Sequence, residues 1–251
     1  YRVMNELLII IYSVSIPVWR NPEVWDSYLS DLEMLIPDTL AKLDENDPIR
    51  RKADVRKGEG NYITDFAPRE SAREILGIFS KSKVTFNARV SAQLDGWGNR
   101  FNLYLPGGWV DSVTPEQIMH IFSSSCRNLD AFYAICDSTS LINGQKPSTP
   151  GKPLNYSTEL SGVNWLTYFG DAYVDFFGKE KFDRQIDQFD GSGGVTIRLA
   201  EGFSDVSDEM RRRREEQLGA LTFSSFGSNK TNGEHAMLYP EIQRRQNALR
   251  S

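Results

Sequence analysis

The sequence predicts an α+β fold with a mixed, largely antiparallel central sheet and helices packed on it, in a single compact domain. Residues 7–16 form a continuous apolar run that ends in alternation, which is typical of a central strand buried on both faces. Residues 84–94 alternate strictly between apolar and polar side chains, as a half-buried antiparallel strand does. Segments with helix-start signals and helical spacing lie between these strands.

The length of 251 residues suits one domain over residues 1–251. A subdivision near residues 143–160 is the alternative, because that stretch is polar and contains Pro147, Pro150 and Pro153. A loop of this length without periodicity is usually functional or disordered.

Three helices are predicted after the first strand. The first begins at Asn21-Pro22, ends before Pro37 and places Asp26 and Glu33 on its wet face. A short second helix is predicted over 38–44 and a third over 68–79. The apolar positions predicted to face inward in the first helix are Val24, Tyr28, Leu32 and Leu35.

A hairpin and a capped helix follow. The alternating strand turns at residues 95–99 into a second strand, in which Phe101, Leu103 and Leu105 alternate again. Thr114-Pro115 begins the next helix, because an N-cap, a proline at the first position and a reciprocal Gln117 coincide there. Residues 129–136 are predicted to form another buried strand.

The stretch from Gly162 to Arg184 is the most aromatic part of the chain. It predicts a strand over 165–169 and a helix that extends through Ile186, with Tyr173, Phe176 and Phe177 on one face. A third alternating strand at 195–199, a charged helix at 207–218, a strand at 221–226 and a helix at 240–249 complete the prediction. The side chains predicted to be core are Trp165, Phe169, Phe176 and Phe177.

The net charge of −5 argues against a nucleic-acid or anionic-membrane binder, because both partners demand basic surface. Residues 21–47 hold eight acids and one base, so this segment alone carries 1 − 8 = −7. An acidic chain of this kind suits a basic protein partner.

The two cysteines, Cys126 and Cys136, fit neither a disulfide framework nor a metal cage and indicate reduced thiols in the cytoplasm. The apolar run near the start is too short for the ~20 residues of a membrane span. A signal-peptide core is the alternative for that run. The chain starts at Tyr1, so the loss of a leader stays open.

Few residues have a spacing that suits a catalytic, metal-binding or phosphate-binding site. Glu116 and His120 have the i,i+4 spacing of metal ligands, but no third ligand is identifiable, so a solvated pair is favoured. Residues 191–194 are glycine-rich but precede a strand, which indicates a turn. The run Arg211–Arg214 is matched by glutamates at i,i+4, including Arg211 with Glu215, and predicts a solvated helix face. We therefore predict no catalytic residue, cofactor or metal, and no enzyme activity.

Trp97 and Trp109 are flanked by glycines, which favours outward presentation and a role as interface anchors. The alternative is that each folds back onto the core. The residues predicted to contact a partner are Asp26, Asp31, Glu33, Trp97 and Trp109.

Taken together, these features resemble the immunity protein 52 family. The resemblance rests on the apolar first strand, the acidic helical segment, the strand before Asp95-Gly96-Trp97, the capped helix, and the run NWLTYFGDAYVDFFGKEKF followed by GVTIRL at 194–199. It implies a bacterial, cytoplasmic, non-enzymatic protein that neutralises a cognate toxin, such as a nuclease effector of a type VI secretion system (T6SS). Neutralisation would proceed by occlusion or by blocked assembly.

Two other classes remain open at this point. A small hydrolase would need a cleft built from acids such as Asp111, Glu116 and Asp137. A carbohydrate-binding protein would use exposed tryptophans.

Overall fold

The computed structural model describes residues 6–13, 18–19, 21–37, 40–44, 73–79, 81–90, 99–144, 160 and 162–219. The chain divides into two compact units, Tyr1–Ala131 and Phe132–Ser251. That residues 1–251 act as one domain stays a prediction.

In the described residues of the first unit there are five strands: β1 (Leu7–Ser13), β2 (Leu40–Asp44), β3 (Arg73–Phe79), β4 (Thr85–Val90) and β5 (Asn99–Leu105). They pair in the order β2-β3-β4-β5-β1, and each of these pairings is antiparallel. Ile9, Ile10, Ile11 and Tyr12 of β1 are all buried, so this strand is covered on both faces as predicted. Along β5, buried and half-buried side chains alternate.

The helices α1 (Pro22–Leu35), α2 (the single turn Gly107–Val110) and α3 (Pro115–Asn128) belong to the described part of the first unit. Helix α1 begins where the Asn21 side chain accepts a hydrogen bond from the Glu23 amide. Helix α3 begins with the predicted capping box between Thr114 and Gln117. Both helix starts are therefore confirmed.

The core of the first unit is aromatic. Trp19 and Trp25 meet edge to face at 5.4 Å between ring centroids, and Tyr28 meets Phe101 in the same way at 5.4 Å. Phe86 stacks on Phe101 at 5.5 Å. Helix α1 thus packs on the sheet through rings contributed by β4 and β5.

The second unit contains β6 (Tyr133–Ser138), β7 (Leu166–Phe169), β8 (Gln188–Phe189) and β9 (Val195–Arg198). The strands pair antiparallel in the order β6-β7-β9-β8. The helices are α4 (Thr139–Gly144), α5 (Asp171–Phe177) and α6 (Asp208–Leu218). The predicted glycine-rich turn joins β8 to β9, where Asp190 accepts hydrogen bonds from the Ser192 and Gly194 amides.

Two predicted helices of the first unit are wrong. Residues 40–44 and 73–79 are the strands β2 and β3, which pair with each other, and β3 also pairs with β4. The apolar residues of 73–79 fit either period, and the non-local pairing decides the outcome. Gly77 was the missed signal, because a Cβ there would lie 2.3 Å from the Phe86 ring across the ladder.

The aromatic helix of the second unit is shorter than predicted. It ends at Phe177 because Gly178 adopts φ +93°, and Ile186 is 64% exposed rather than helical core. Trp165, Phe169, Tyr173 and Phe177 are buried as predicted, whereas Phe176 is half-buried. The prediction that Phe176 is core is therefore wrong.

The predicted α+β class with an antiparallel sheet is confirmed. The hairpin tip at 91–98, most of the loop at 143–158, the strand at 221–226 and the helix at 240–249 lie outside the described residues. Among the described helices, none has the length and hydropathy that a membrane crossing needs. The cytoplasmic location stays a prediction.

Candidate partner-binding site

Helix α1 carries a row of carboxylates at its surface, which we call the acidic stripe: Glu23, Asp26 and Glu33. These positions recur at i, i+3 and i+10, so they share one side of the helix. Glu23 and Asp26 are exposed and Glu33 is half-buried. The helix contains no lysine or arginine, so no basic side chain of α1 itself offsets this charge.

The helix that carries the acidic stripe is fixed to the first unit by its buried side. The opposite side of α1 buries Trp25, Tyr28, Leu29 and Leu32. The Trp25 indole N–H donates to the Trp19 carbonyl at 2.8 Å, and the Tyr28 hydroxyl bonds to Ser125 Oγ at 2.7 Å. The predicted division into a wet and a buried face is confirmed, with the buried face centred on Trp25 and Leu29 rather than on Val24 and Leu35.

Asp31 differs from the other acids of α1. Its carboxylate accepts hydrogen bonds from Ser124 Oγ at 3.3 Å and from Asn128 Nδ2 at 3.1 Å, both on α3. Asp31 therefore ties α1 to α3. Its prediction as a partner contact is untested, but the geometry gives it a role within the first unit.

The C-terminal end of α1 concentrates negative charge. Glu33 lies in the last turn, where the helix dipole is negative and where no basic residue is present. Next to it, Met34 is 73% exposed and is one of the large apolar side chains left in solvent. This end of the helix carries a half-buried carboxylate and an exposed apolar side chain.

The two tryptophans predicted as anchors have different outcomes. Trp97 lies outside the described residues. Trp109 lies in α2 and is only 8% exposed, so the interpretation of outward presentation is wrong for this residue. The amide that follows the glycine pair bonds back to the Pro106 carbonyl, which turns the chain into a helical turn and the indole inward.

The acids considered for catalysis or metal binding do not assemble. Asp111, Glu116 and His120 are exposed in the first unit. Within the described ranges, no group of three His, Cys, Asp or Glu side chains could hold a metal ion. The absence of enzyme activity stays a prediction.

The charged helix α6 is where sequence reasoning failed most clearly. Arg211 and Glu215 are 4% and 3% exposed, although they were predicted to form a solvated pair. With Asp137 of β6, which is 2% exposed, they form what we call the buried ionic cluster. Arg211 Nη1 donates to Asp137 Oδ2 at 2.6 Å and to the Val163 carbonyl at 3.2 Å.

A second buried pair joins α6 to the segment after α5. Arg214 donates to Asp187, and its guanidinium lies 5.9 Å from the centre of the Phe182 ring. Burial raises the pKa of Asp187, while the charge of Arg214 acts in the opposite direction. The predicted solvated pairs Glu209–Arg213 and Arg212–Glu216 are confirmed at 2.7 and 2.9 Å.

One signal could have identified the buried face of α6. Arg211, Glu215 and Leu218 recur at i, i+4 and i+7, and Leu218 is buried with them. Since SDEMRRRREEQL has no apolar stripe, a helix of this composition has to bury charged side chains in order to dock on a core. Asp137, at the end of an apolar strand, was the available counter-ion.

No protein-family model matches the chain, and no curated protein matches it. Among solved structures, the chain is similar to the T6SS protein PA0821 of Pseudomonas aeruginosa, with a TM-score of 0.57 and 14% sequence identity. The alignment covers 98% of this chain and 85% of that protein. At this identity the likeness shows a common fold.

Proposed function

We propose that this chain is an immunity protein that binds and neutralises a cognate T6SS effector, and that the acidic stripe of α1 forms part of the contact surface. The observation that carries the proposal is the row of carboxylates, two exposed and one half-buried, on a helix with no basic residue. The inward side of that helix is locked by Trp25 and Tyr28. A preformed charged surface of this kind suits rapid binding to a basic partner.

A nuclease effector is the partner class that the charge favours. Such an enzyme presents positive surface to the phosphate backbone of its substrate. An acidic inhibitor is steered to that surface and competes with nucleic acid for it. Met34 would add an apolar contact at the edge of the acidic stripe, next to Glu33.

Two further points support this proposal over its alternatives. The similarity to a T6SS protein of P. aeruginosa fits a T6SS-related role. Four tryptophans are described, Trp19, Trp25, Trp109 and Trp165, and each is at most 8% exposed. In the described part of the chain, a carbohydrate-binding site therefore lacks an exposed tryptophan face on which a sugar could stack.

Co-expression tests the proposed function. The protein encoded next to this chain is expressed in a bacterial host from an inducible promoter, with this chain, with an unrelated acidic protein of similar size, or alone. We expect the neighbour to kill alone and with the unrelated protein, and the host to survive with this chain. Killing that persists with this chain present would contradict the proposal.

The nuclease assignment is tested in the same cells. We expect chromosomal DNA or RNA to be degraded in dying cells and to stay intact when this chain is present. If the chain protects but nucleic acids stay intact in unprotected cells, the immunity role stands and the nuclease partner is excluded.

A further inference from the structure

The buried ionic cluster of the second unit has an uneven charge. It holds two carboxylates, those of Asp137 and Glu215, and one guanidinium, that of Arg211, and all three residues are at most 4% exposed. Arg211 pairs with Asp137, while Arg211 and Glu215 both bond to the Val163 backbone. With both acids ionised, the cluster carries one uncompensated negative charge away from water. Such a charge is costly unless one acid takes up a proton.

The two carboxylates of the cluster differ in the number of hydrogen-bond donors that they contact. Asp137 accepts from the Ser138 amide at 2.7 Å, the Trp165 amide at 2.7 Å and Arg211 at 2.6 Å. Glu215 accepts from the Val163 amide at 2.8 Å. The Glu215 carboxylate thus has a single hydrogen-bond donor, and its burial favours the protonated form.

We propose that the buried ionic cluster is a pH-dependent clamp, in which protonation of Glu215 tightens the hold of α6 on the backbone of residues 162–165. Protonation balances the charge of the cluster, and the other oxygen of the carboxyl group still accepts the Val163 amide. The clamped segment leads directly into β7. The clamp therefore couples the docking of α6 to the start of a central strand of the second unit.

The surroundings of Glu215 set the direction of this response. The charged groups that face it are Arg211 and Glu216 of α6 and, through Arg211, Asp137 of β6. Burial raises the pKa of Glu215 to about 7, although the Val163 amide and Arg211 act against this rise. In the unfolded chain this carboxyl has an ordinary pKa near 4.5. Protonated Glu215 therefore makes its full contribution to the free energy of unfolding below about pH 4.5. This contribution is lost as the pH rises to about 7, and the free energy of unfolding does not change further with this group above that pH.

Urea unfolding at pH 5 and pH 8 tests the clamp with wild type, Glu215→Gln and Glu201→Gln. Glutamine keeps an acceptor oxygen but cannot ionise. We expect Glu215→Gln to reduce the pH response of the unfolding equilibrium constant by on the order of 50-fold, and to be more stable than wild type at pH 8. The control Glu201→Gln, which changes an exposed glutamate of the second unit, keeps the wild-type response. A Glu215→Gln response parallel to that of wild type would overturn the proposal.

A second measurement uses only the wild-type protein and decides the question even if a variant fails to fold. The carboxyl carbon of Glu215 is followed by NMR between pH 4 and pH 9, together with hydrogen exchange at the Val163 amide. We expect a midpoint near 7, and protection of Val163 that decreases across the same range. A midpoint near the ordinary value, or protection that does not change, would overturn the clamp.

Discussion

Helix α1 docks through Trp25, Tyr28 and Leu32 and leaves carboxylates in solvent, whereas α6 docks through Arg211 and Glu215. Both helices are rich in charge, yet only α1 has an apolar face. In α1 the hydrophobic effect holds the helix, so its charges are available for other roles. In α6 three of the charged residues, Arg211, Arg214 and Glu215, make contacts that hold the fold. The number of charges on a helix therefore does not show whether they serve binding or stability.

The largest loss of stability is expected when the buried positive charge of α6 is removed. Arg211→Met leaves Asp137 buried without its counter-ion, and we expect the free energy of unfolding to fall by about 3–5 kcal/mol. The matched control is Arg213→Met, because Arg213 is 75% exposed in its pair with Glu209; its effect should stay within about 0.5 kcal/mol. Urea unfolding at pH 7 measures both. Equal losses of unfolding free energy in the two variants would contradict the claim that the buried charges of α6 stabilise the fold more than its exposed charges do.

A smaller effect is expected from the one acid of α1 that belongs to the fold. Asp31→Asn weakens the hydrogen bonds from Ser124 and Asn128, and we expect a loss of about 0.5–1.5 kcal/mol. Asp26→Asn changes an exposed carboxylate on the same helix and should have almost no effect on urea unfolding. If Asp26→Asn lowers the free energy of unfolding as much as Asp31→Asn does, the acidic stripe stabilises the fold and is not reserved for binding.

These contrasts explain which parts of the fold and site could be predicted from sequence. The starts of α1 and α3 were predictable because caps and proline are local signals. Strands β2 and β3 were not, because pairing with residues far along the chain decides their state. The solvent-facing acids Asp26 and Glu33 follow from helical periodicity. The burial of Arg211 does not, because it depends on Asp137, 74 residues away.

The smallest stability effect concerns the end of α1. Glu33→Lys places a cation at the negative end of the helix dipole, so we expect a gain of about 0.3–1 kcal/mol in unfolding free energy at low salt. Thermal unfolding in low and high salt measures it, and the gain should shrink as salt is added. A gain would fit a role of Glu33 in binding rather than in the fold. A loss of stability would mean that Glu33 supports the fold instead.

The central claim is that the acidic stripe of α1 serves binding, and the most direct test is the association rate constant with the effector over a range of salt. The variant is Asp26→Lys with Glu33→Lys, which spares Asp31. The control is Asp175→Lys with Glu201→Lys, two exposed acids of the second unit that give the same change in net charge. We expect the α1 variant to associate about 10-fold more slowly at low salt and to lose most of its salt dependence, with the control within about 2-fold of wild type. Equal rates for the two variants would contradict the account.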